Sequence, residues 1–525
     1  MRRFSFTSAL IACLVVPSVA AAQRPRRPEP GANAPAAAGD SAVRTMSASD
    51  TVPDSSVTMH TVRVGGQTIP YRALAGTLIL RNDSGAPVGR LYYTAYTRTD
   101  VRDASQRPLA FVYNGGPGSA SLWLHMGAFG PQRIVTTDAA PTPPPPYRVE
   151  DNGNTLLDVT DMVFVDPVGT GFSKPVGKGT GKDFWGIDQD ARSLAQFVRQ
   201  YVTRNGRWNS PKYLIGESYG TTRSAVLVNL LQGDEGMDFN GVVLISNVLD
   251  FETLNFASGH DVSYVLYLPS YAAVAAYHHV IPQPANLAAF IDTVRQFAAG
   301  AYADALAKGT ALGAAERADV LRRLSAYTGL DTGYLDKANL RVTLGQYMAE
   351  LQRAHGLITG RLDARFSGPE ADLLAENAYE DPQSNAISGA FTAAINAYLH
   401  DQLKYGGDQR YVTGGDVRWD WSRGGRGPGG GGGWRATPYV GGDLADALRY
   451  NPNLRVQVEN GYYDLATPFF ATEYTMDHLG LRPDLRGHIE LKYYDAGHMM
   501  YLYPLALAQL KTNIAQFIGA TSRAP

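Results

Sequence analysis

Cysteine is almost absent from this chain of 525 residues, since Cys13 is the only one. Charged residues are also scarce, at 18% of the sequence, and the net charge is −2. Without a basic excess to replace phosphate counterions, an electrostatic nucleic-acid binder is excluded. No apolar run of about 18 residues occurs beyond the N-terminus, so no internal transmembrane helix is expected. Hydrophobic residues make up 44% of the chain, which is enough for the core of a soluble enzyme.

Residues 1–22 have the features of a secretory signal peptide. Arg2 and Arg3 form a positive end, an apolar centre follows, and small residues at 20–22 suit cleavage. Cys13 lies in the apolar centre and leaves with the signal, which excludes disulfides, metal thiolates and a cysteine nucleophile from the mature chain. Lipid attachment at Cys13 is the less favoured alternative, because the apolar run continues beyond it. The segment predicts a secreted or periplasmic protein.

The remaining chain divides by composition into a leader, two parts of one core and an insertion. Residues 23–56 contain almost no large apolar side chains, which predicts a disordered leader. Residues 57–257 and 436–525 predict the two parts of the core. Residues 258–435 form helical patterns rich in Ala, Leu and Tyr, interpreted as an inserted cap that ends in a glycine-rich loop.

Strand patterns in the two core parts predict the fold class. Alternating apolar residues from 57 to 97 indicate antiparallel strands. Short, fully apolar runs then indicate buried parallel strands, and helical patterns separate the early ones. These runs lie at 109–114, 162–166, 212–217, 241–246, 454–460 and 488–494. The sequence therefore predicts a doubly wound, mostly parallel α/β sheet with a helical insertion.

Ser218 is the candidate nucleophile. It stands in Gly216-Glu217-Ser218-Tyr219-Gly220, a G-x-S-x-G motif at a predicted strand-to-helix junction. Small residues at both flanks of such a junction allow a sharp turn that presents the serine above the sheet. The alternative is an ordinary serine that caps the following helix.

Asp464 and His498 are the candidate acid and base. Each follows a late predicted strand, and the chain order of Ser, acid and His suits this fold class. The alternatives are a capping aspartate and a hydrogen-bonded loop histidine. The other histidines show no metal-ligand spacing, so neither a metal nor another cofactor is expected.

An oxyanion hole requires backbone N–H donors near the serine. The N–H of Tyr219, directly after the nucleophile, is one candidate. The loop Asn114-Gly115-Gly116-Pro117-Gly118 follows an early strand and is the candidate source of the other. The alternative interpretation of this loop is a tight strand–helix connection.

Five motifs together resemble the serine carboxypeptidase family. They are YNGGPGSAS, FVDPVGTGFS, IGESYG, NGYYDLATP and AGHMMY, which begin at residues 113, 164, 215, 460 and 496. The resemblance spans about 110–260 and 450–518. It implies an α/β-hydrolase fold and a triad of Ser218, Asp464 and His498. It also implies oxyanion donors at Gly116 and Tyr219.

The same resemblance implies that Glu217, Asn114 and Gly115 bind the C-terminal carboxylate of a peptide. Two carboxylates can meet only if one carries a proton. Family members usually pair this glutamate with a second one, but Ala128 stands at the expected position here. The departure leads us to expect a lower pKa at Glu217 than in members with the pair, unless burial compensates.

The sequence thus predicts a secreted serine carboxypeptidase that acts on peptides. An esterase or acyltransferase with the same triad is the alternative, and a non-catalytic binding protein is a third. The side-chain preference, the natural substrate and the oligomeric state have no sequence signal.

Overall fold

A mixed sheet of ten strands forms the centre of the protein in a computed structural model, which describes residues 48–423 and 437–522. In chain order, all the strands described are β1 (Ser55–Val64), β2 (Gln67–Arg81), β3 (Pro87–Arg98), β4 (Leu109–Tyr113), β5 (Gln132–Ile134), β6 (Val149–Asp151), β7 (Asp161–Val165), β8 (Lys174–Pro175), β9 (Lys212–Glu217), β10 (Gly241–Ile245), β11 (Leu357–Thr359), β12 (Ser367–Pro369), β13 (Arg455–Gly461) and β14 (Ile489–Tyr494). The strands β5 and β6, and β11 and β12, form separate two-stranded pairs.

The main sheet has the order β1-β2-β3-β7-β4-β9-β10-β13-β14, with β8 paired to β3. The first three strands and the β3–β7 pair are antiparallel, and every later neighbour is parallel. The predicted antiparallel opening and the buried parallel strands are therefore confirmed. Because the parallel strands share one direction, their carboxyl ends meet at one edge of the sheet, where ligands bind in open α/β sheets.

Helices cover both faces of this sheet. One face packs against α1, α2 and α10, and the other packs against α9, α13 and a π-helical turn at Leu124–Phe129. The α-helices are α1 (Ile187–Arg204), α2 (Tyr219–Gly233), α3 (Val262–Tyr277), α4 (Leu287–Phe297), α5 (Ala303–Lys308), α6 (Ala314–Thr328), α7 (Thr332–Lys337), α8 (Leu344–Glu350), α9 (Pro382–Ala397), α10 (Gly441–Tyr450), α11 (Phe469–Asp477), α12 (Pro483–Arg486) and α13 (Pro504–Thr521).

Period and burial explain these layers. In α1 the buried residues Ile187, Leu194, Val198 and Val202 recur at helical spacing on one stripe. In β4 all five residues are buried, and alternate residues enter the cores on opposite faces. The doubly wound α/β architecture follows from this two-sided burial.

The insertion differs from the predicted pattern of helices alone. Helices α3 to α8 surround a third core, but β11 and β12 form a short antiparallel hairpin between α8 and α9. Helix α9 packs on the main core rather than on the third one. All described residues belong to one compact unit.

The predicted leader, 23–56, ends later than the structure supports. Its last residues are folded, because Ala48–Thr51 forms a 3-10 turn and Asp54 contacts the sheet. The Asp54 carboxylate lies 2.7 Å from Arg90 and accepts a hydrogen bond from Thr77 at 2.7 Å.

The predicted signal peptide and the rest of the leader lie outside the described residues, as does the glycine-rich loop at 424–433. Of the helices described, none has the length and hydropathy to cross a bilayer.

Candidate active site

Ser218 lies in a strained turn between β9 and α2. Its φ and ψ are 59° and −129°, a conformation that a non-glycine residue adopts only at a cost. The Ser218 N–H donates to the Ile245 carbonyl at 2.9 Å. A Cβ on Gly216 would lie 2.3 Å from the Gly220 carbonyl oxygen, so the turn requires a glycine there. The predicted sharp turn at the G-x-S-x-G motif is therefore present.

His498 and Asp464 are hydrogen-bonded to each other. His498 Nδ1 lies 2.8 Å from Asp464 Oδ2, and both side chains are buried. The other carboxylate oxygen of Asp464 accepts from the N–H groups of Ala466 and Thr467, and the Thr467 hydroxyl donates to Oδ2. Since Nδ1 faces the carboxylate, it carries the proton, and Nε2 is left as the basic nitrogen.

Opposing effects act on the pKa of His498. Burial lowers it, but the Asp464 charge and hydrogen bond outweigh burial, and the net pKa lies above its ordinary value. Glu217 adds to the rise, whereas Arg361 opposes it. The imidazolium form is thus stabilised, as a general base requires.

The end of β10 connects the serine loop to the histidine loop. The Ile245 carbonyl accepts from the Ser218 N–H, and the hydroxyl of the next residue, Ser246, donates to the His498 carbonyl at 2.6 Å. The structure thereby brings Ser218 and His498 to neighbouring places at the carboxyl edge of the sheet.

The Asn114–Gly118 loop after β4 lies against the serine turn. A Cβ on Gly115 would be 2.4 Å from the Tyr219 nitrogen, so only glycine permits this approach. Gly116 has a φ of 104° and is exposed, next to the half-buried Ser218. The loop and the Tyr219 N–H are thus neighbours, and their role as an oxyanion hole stays a prediction.

Glu217 is buried and hydrogen-bonded to Asn114, whose Nδ2 donates to Oε1 at 2.8 Å. Burial raises the pKa of Glu217 to about 7, although the charge of His498 opposes the rise. Ala128, where a second glutamate is expected, is itself fully buried in the π-helical turn. Burial therefore raises this pKa without a second carboxylate, and the comparison with members that have the pair stays a prediction.

A buried ion pair connects α2, α1 and the Asn114 loop. Arg223 Nε lies 2.6 Å from Asp190 Oδ2, and both side chains are almost completely buried. A second guanidinium nitrogen of Arg223 donates to the Asn114 carbonyl at 2.6 Å. The pair thus fixes the loop whose side chain holds Glu217.

The β11–β12 hairpin of the insertion holds the acid and base loops. The His498 N–H donates to the Leu362 carbonyl at 2.7 Å, and the Leu465 N–H donates to the Arg361 carbonyl at 3.1 Å. A second buried ion pair, between Arg365 and Asp363 at 2.7 Å, stiffens this hairpin. The insertion therefore supports the Asp464–His498 pair directly.

Sequence reasoning missed these supporting residues. Arg223 had one available signal, since it is the only charged residue in the buried helix α2. The sequence contains no comparable signal for the short hairpin strands or for the partners of Asp363 and Asp190. Within residues 48–423 and 437–522, no group of three His, Cys, Asp or Glu side chains is placed to hold a metal ion.

Comparison with solved structures identifies the fold class. Kex1(delta)p, a prohormone-processing carboxypeptidase from Saccharomyces cerevisiae, matches with a TM-score of 0.51 and 16% identity. The match covers 86% of this chain and 91% of that chain. Together with the mixed sheet and the serine turn, it shows that this protein has the α/β-hydrolase fold.

Comparison of sequences supports a family within that class. The serine carboxypeptidase family model matches residues 73–262, which include β4, β9 and Ser218. Serine carboxypeptidase-like 36 of Arabidopsis thaliana is 30% identical over 135 residues. That alignment covers 25% of this chain, and the chain spans about a quarter, 26%, of the length of this relative.

Proposed function

We propose that the protein is a secreted serine carboxypeptidase that releases C-terminal residues from peptides through an acyl-enzyme. The observation that carries the proposal is the strained Ser218 turn beside the hydrogen-bonded Asp464–His498 pair at one edge of the sheet. The family model that matches residues 73–262 supports the same reaction class.

In the proposed reaction, Ser218 Oγ attacks the carbonyl carbon of the last peptide bond. His498 Nε2 takes the hydroxyl proton and returns it to the leaving amine, while Asp464 stabilises the imidazolium. The N–H groups of Gly116 and Tyr219 stabilise the oxyanion, helped by the positive end of the α2 dipole. Water then attacks the acyl-enzyme by the same route.

Glu217, Asn114 and Gly115 would bind the terminal carboxylate of the peptide. A protonated Glu217 donates a hydrogen bond to that carboxylate, whereas an ionised Glu217 repels it. With its pKa raised to about 7, Glu217 is mostly protonated in acid. The KM for peptide acids should therefore rise as the pH passes through about 7.

The signal-like residues 1–22 support secretion or a periplasmic location. The proposed partners are peptide substrates. No cofactor takes part in the proposed reaction, because the serine, the imidazole and water supply every proton and nucleophile.

The test is labelling by a fluorophosphonate, followed by cleavage of an N-blocked dipeptide and of its C-terminal amide and ester. Ser218→Ala should abolish labelling and lower kcat by about 10⁴- to 10⁶-fold, because the covalent step is lost. Ser263→Ala is the matched control, since it removes a buried hydroxyl at the start of α3 that donates to the Asn255 carbonyl instead.

The substrate comparison separates the reaction classes. A carboxypeptidase should prefer the peptide acid to its amide. Labelled enzyme that cleaves only the ester would indicate an esterase, and near-normal turnover by folded Ser218→Ala would overturn the serine mechanism.

A further inference from the structure

Two buried polar atoms beside the candidate carboxylate site face each other but make no hydrogen bond of good geometry within the described residues. They are Glu217 Oε2 and the Tyr501 hydroxyl. Tyr501 is 1% exposed and Glu217 is 4% exposed, so bulk solvent does not reach either group. Leaving such groups unpaired in an interior is costly, so they require an explanation, and a ligand that bonds to them is one.

Tyr501 packs against the segment in which a second glutamate would be expected. It follows His498 by three residues, in the 3-10 turn Met500–Leu502, and its ring packs on the π-helical turn that contains Ala128. A Cβ on Gly127 would lie 2.8 Å from Tyr501 Cε2, so the glycine before Ala128 makes room for the ring.

The electrostatics agree with this placement. Burial, with the Glu217 carboxylate as the next cause, raises the pKa of the Tyr501 hydroxyl well above its ordinary value. The hydroxyl therefore keeps its proton throughout the working range of the enzyme. The other groups that act on Glu217 are Asn114, His498 and Asp464.

We propose that the Tyr501 hydroxyl is a substrate-binding donor, which with Glu217 recognises the C-terminal carboxylate of the peptide. The proposal rests on the carboxypeptidase function proposed above. Hydrogen bonds at such sites are often poorly aligned without substrate and form when it binds. A tyrosine hydroxyl donates at every relevant pH, so one donor to the substrate carboxylate remains after Glu217 ionises. A pair of carboxyls that share one proton would lose that donor once the proton dissociates.

The test is the KM for N-blocked Phe-Leu and for its amide, between pH 5 and 8, in the wild type and in Tyr501→Phe. Loss of a hydrogen bond to a charged group should raise the KM for the acid by about 10- to 100-fold. The KM for the amide and the kcat for both substrates should change by less than about threefold, because Phe keeps the ring packing.

Tyr494→Phe is the matched control. It removes another buried hydroxyl from the C-terminal part of the chain, but that hydroxyl donates to Glu459 at 2.6 Å, on a strand separated from β9 by β10. The ratio of the acid KM to the amide KM should be unchanged by this substitution. In Glu217→Gln the upward pH trend of the acid KM should flatten, and adding Tyr501→Phe should raise that KM at every pH.

The outcomes separate this inference from the function on which it rests. If the wild type prefers the acid and Tyr501→Phe keeps the full preference, the Tyr501 inference is wrong and the carboxypeptidase proposal stands. An equal rise in KM for acid and amide would reduce Tyr501 to a packing role. A labelled wild type with no preference for the acid would overturn both.

Discussion

The candidate site has two halves, and each contains the same two structural features. The nucleophile half is built on β4, β9 and α2, and the acid–base half on β13 and β14. Each half is supported by a buried Arg–Asp pair, which is Arg223–Asp190 in the first and Arg365–Asp363 in the second. Each half also contains a buried glutamate beside a tyrosine hydroxyl.

The two glutamates lie at the same level of the sheet, on either side of Ile245 in β10, and differ in the chain that follows them. One carboxylate oxygen of Glu459 accepts from Tyr494, and one of Glu217 accepts from Asn114. The other oxygen of each glutamate is buried without a hydrogen bond of ordinary geometry among the described residues. Burial raises both pKa values, to about 8 at Glu459 and about 7 at Glu217. The strand β13 continues for two residues beyond Glu459, whereas β9 ends at Glu217, so only Glu217 directly precedes the serine turn.

The halves also differ in origin along the chain. The nucleophile half lies inside residues 73–262, which match the family model, and the acid–base half lies outside them. The acid–base loops take hydrogen bonds from the hairpin of the insertion. The insertion therefore helps to position the acid–base loops.

Breaking the acid–base half at its centre should have the largest effect. Asp464→Asn should lower kcat by about 10⁴-fold, because an amide favours the wrong imidazole tautomer at His498. KM should change little, since Asp464 does not face the substrate. Steady-state kinetics with the blocked dipeptide measure this. A loss below tenfold would show that Asp464 does not orient the base, and chemical denaturation reports whether the variant stays folded.

Breaking each ion pair should separate the two halves. Arg223→Met and Arg365→Met should each lower the free energy of unfolding by about 3–5 kcal/mol, because each leaves a buried aspartate unpaired. Chemical denaturation measures the loss. Arg341→Met, at the more exposed pair with Asp261, is the control and should cost no more than about 1 kcal/mol.

The kinetic effects of the two variants should differ. Arg223→Met releases the Asn114 carbonyl and should mainly raise the KM for peptide acids. Arg365→Met loosens the hairpin that holds His498 and should mainly lower kcat. If both variants change KM and kcat alike, the two ion pairs do not support the two halves of the site independently.

Much of the sheet and the pairing of Asp464 with His498 could be predicted from the sequence. Apolar runs of five to six residues identify buried strands, and the glycines around Ser218 predict a sharp turn. The order of acid and histidine after late strands predicts that they meet, as Asp464 and His498 do.

The remaining features depend on contacts between distant segments. Strands of three residues, such as β11 and β12, are too short for a periodic signal. Asp54 is fixed by Arg90 and Tyr405 through polar contacts, so composition gives no sign that this part of the leader is folded. The proposed role of the Tyr501 hydroxyl depends on the neighbouring Glu217, which is distant in sequence, so the sequence alone does not predict it.

The pH dependence of stability should show the smallest effect and should distinguish the two glutamates. The raised pKa of Glu459, about 8 against 4.5 for an ordinary glutamate, means that the folded state binds its proton more tightly than the unfolded state. The stabilisation is complete below about pH 4.5 and is lost as the pH rises towards 8 and beyond. Glu459→Gln cannot ionise and keeps an acceptor for Tyr494. Relative to the wild type, its free energy of unfolding should therefore improve by about 1–2 kcal/mol between pH 6 and 9.

Denaturation curves of the wild type and Glu459→Gln at several pH values measure this difference, and Glu490→Gln, on the exposed side of β14, is the control. Kinetics complete the comparison, because Glu459→Gln should leave the KM of the peptide acid unchanged at every pH, whereas Glu217→Gln should flatten its rise. Parallel stability curves for the wild type and Glu459→Gln would mean that Glu459 is ionised in the folded protein. In that case burial in the sheet would not control this carboxyl, and the parallel between the two buried glutamates would fail.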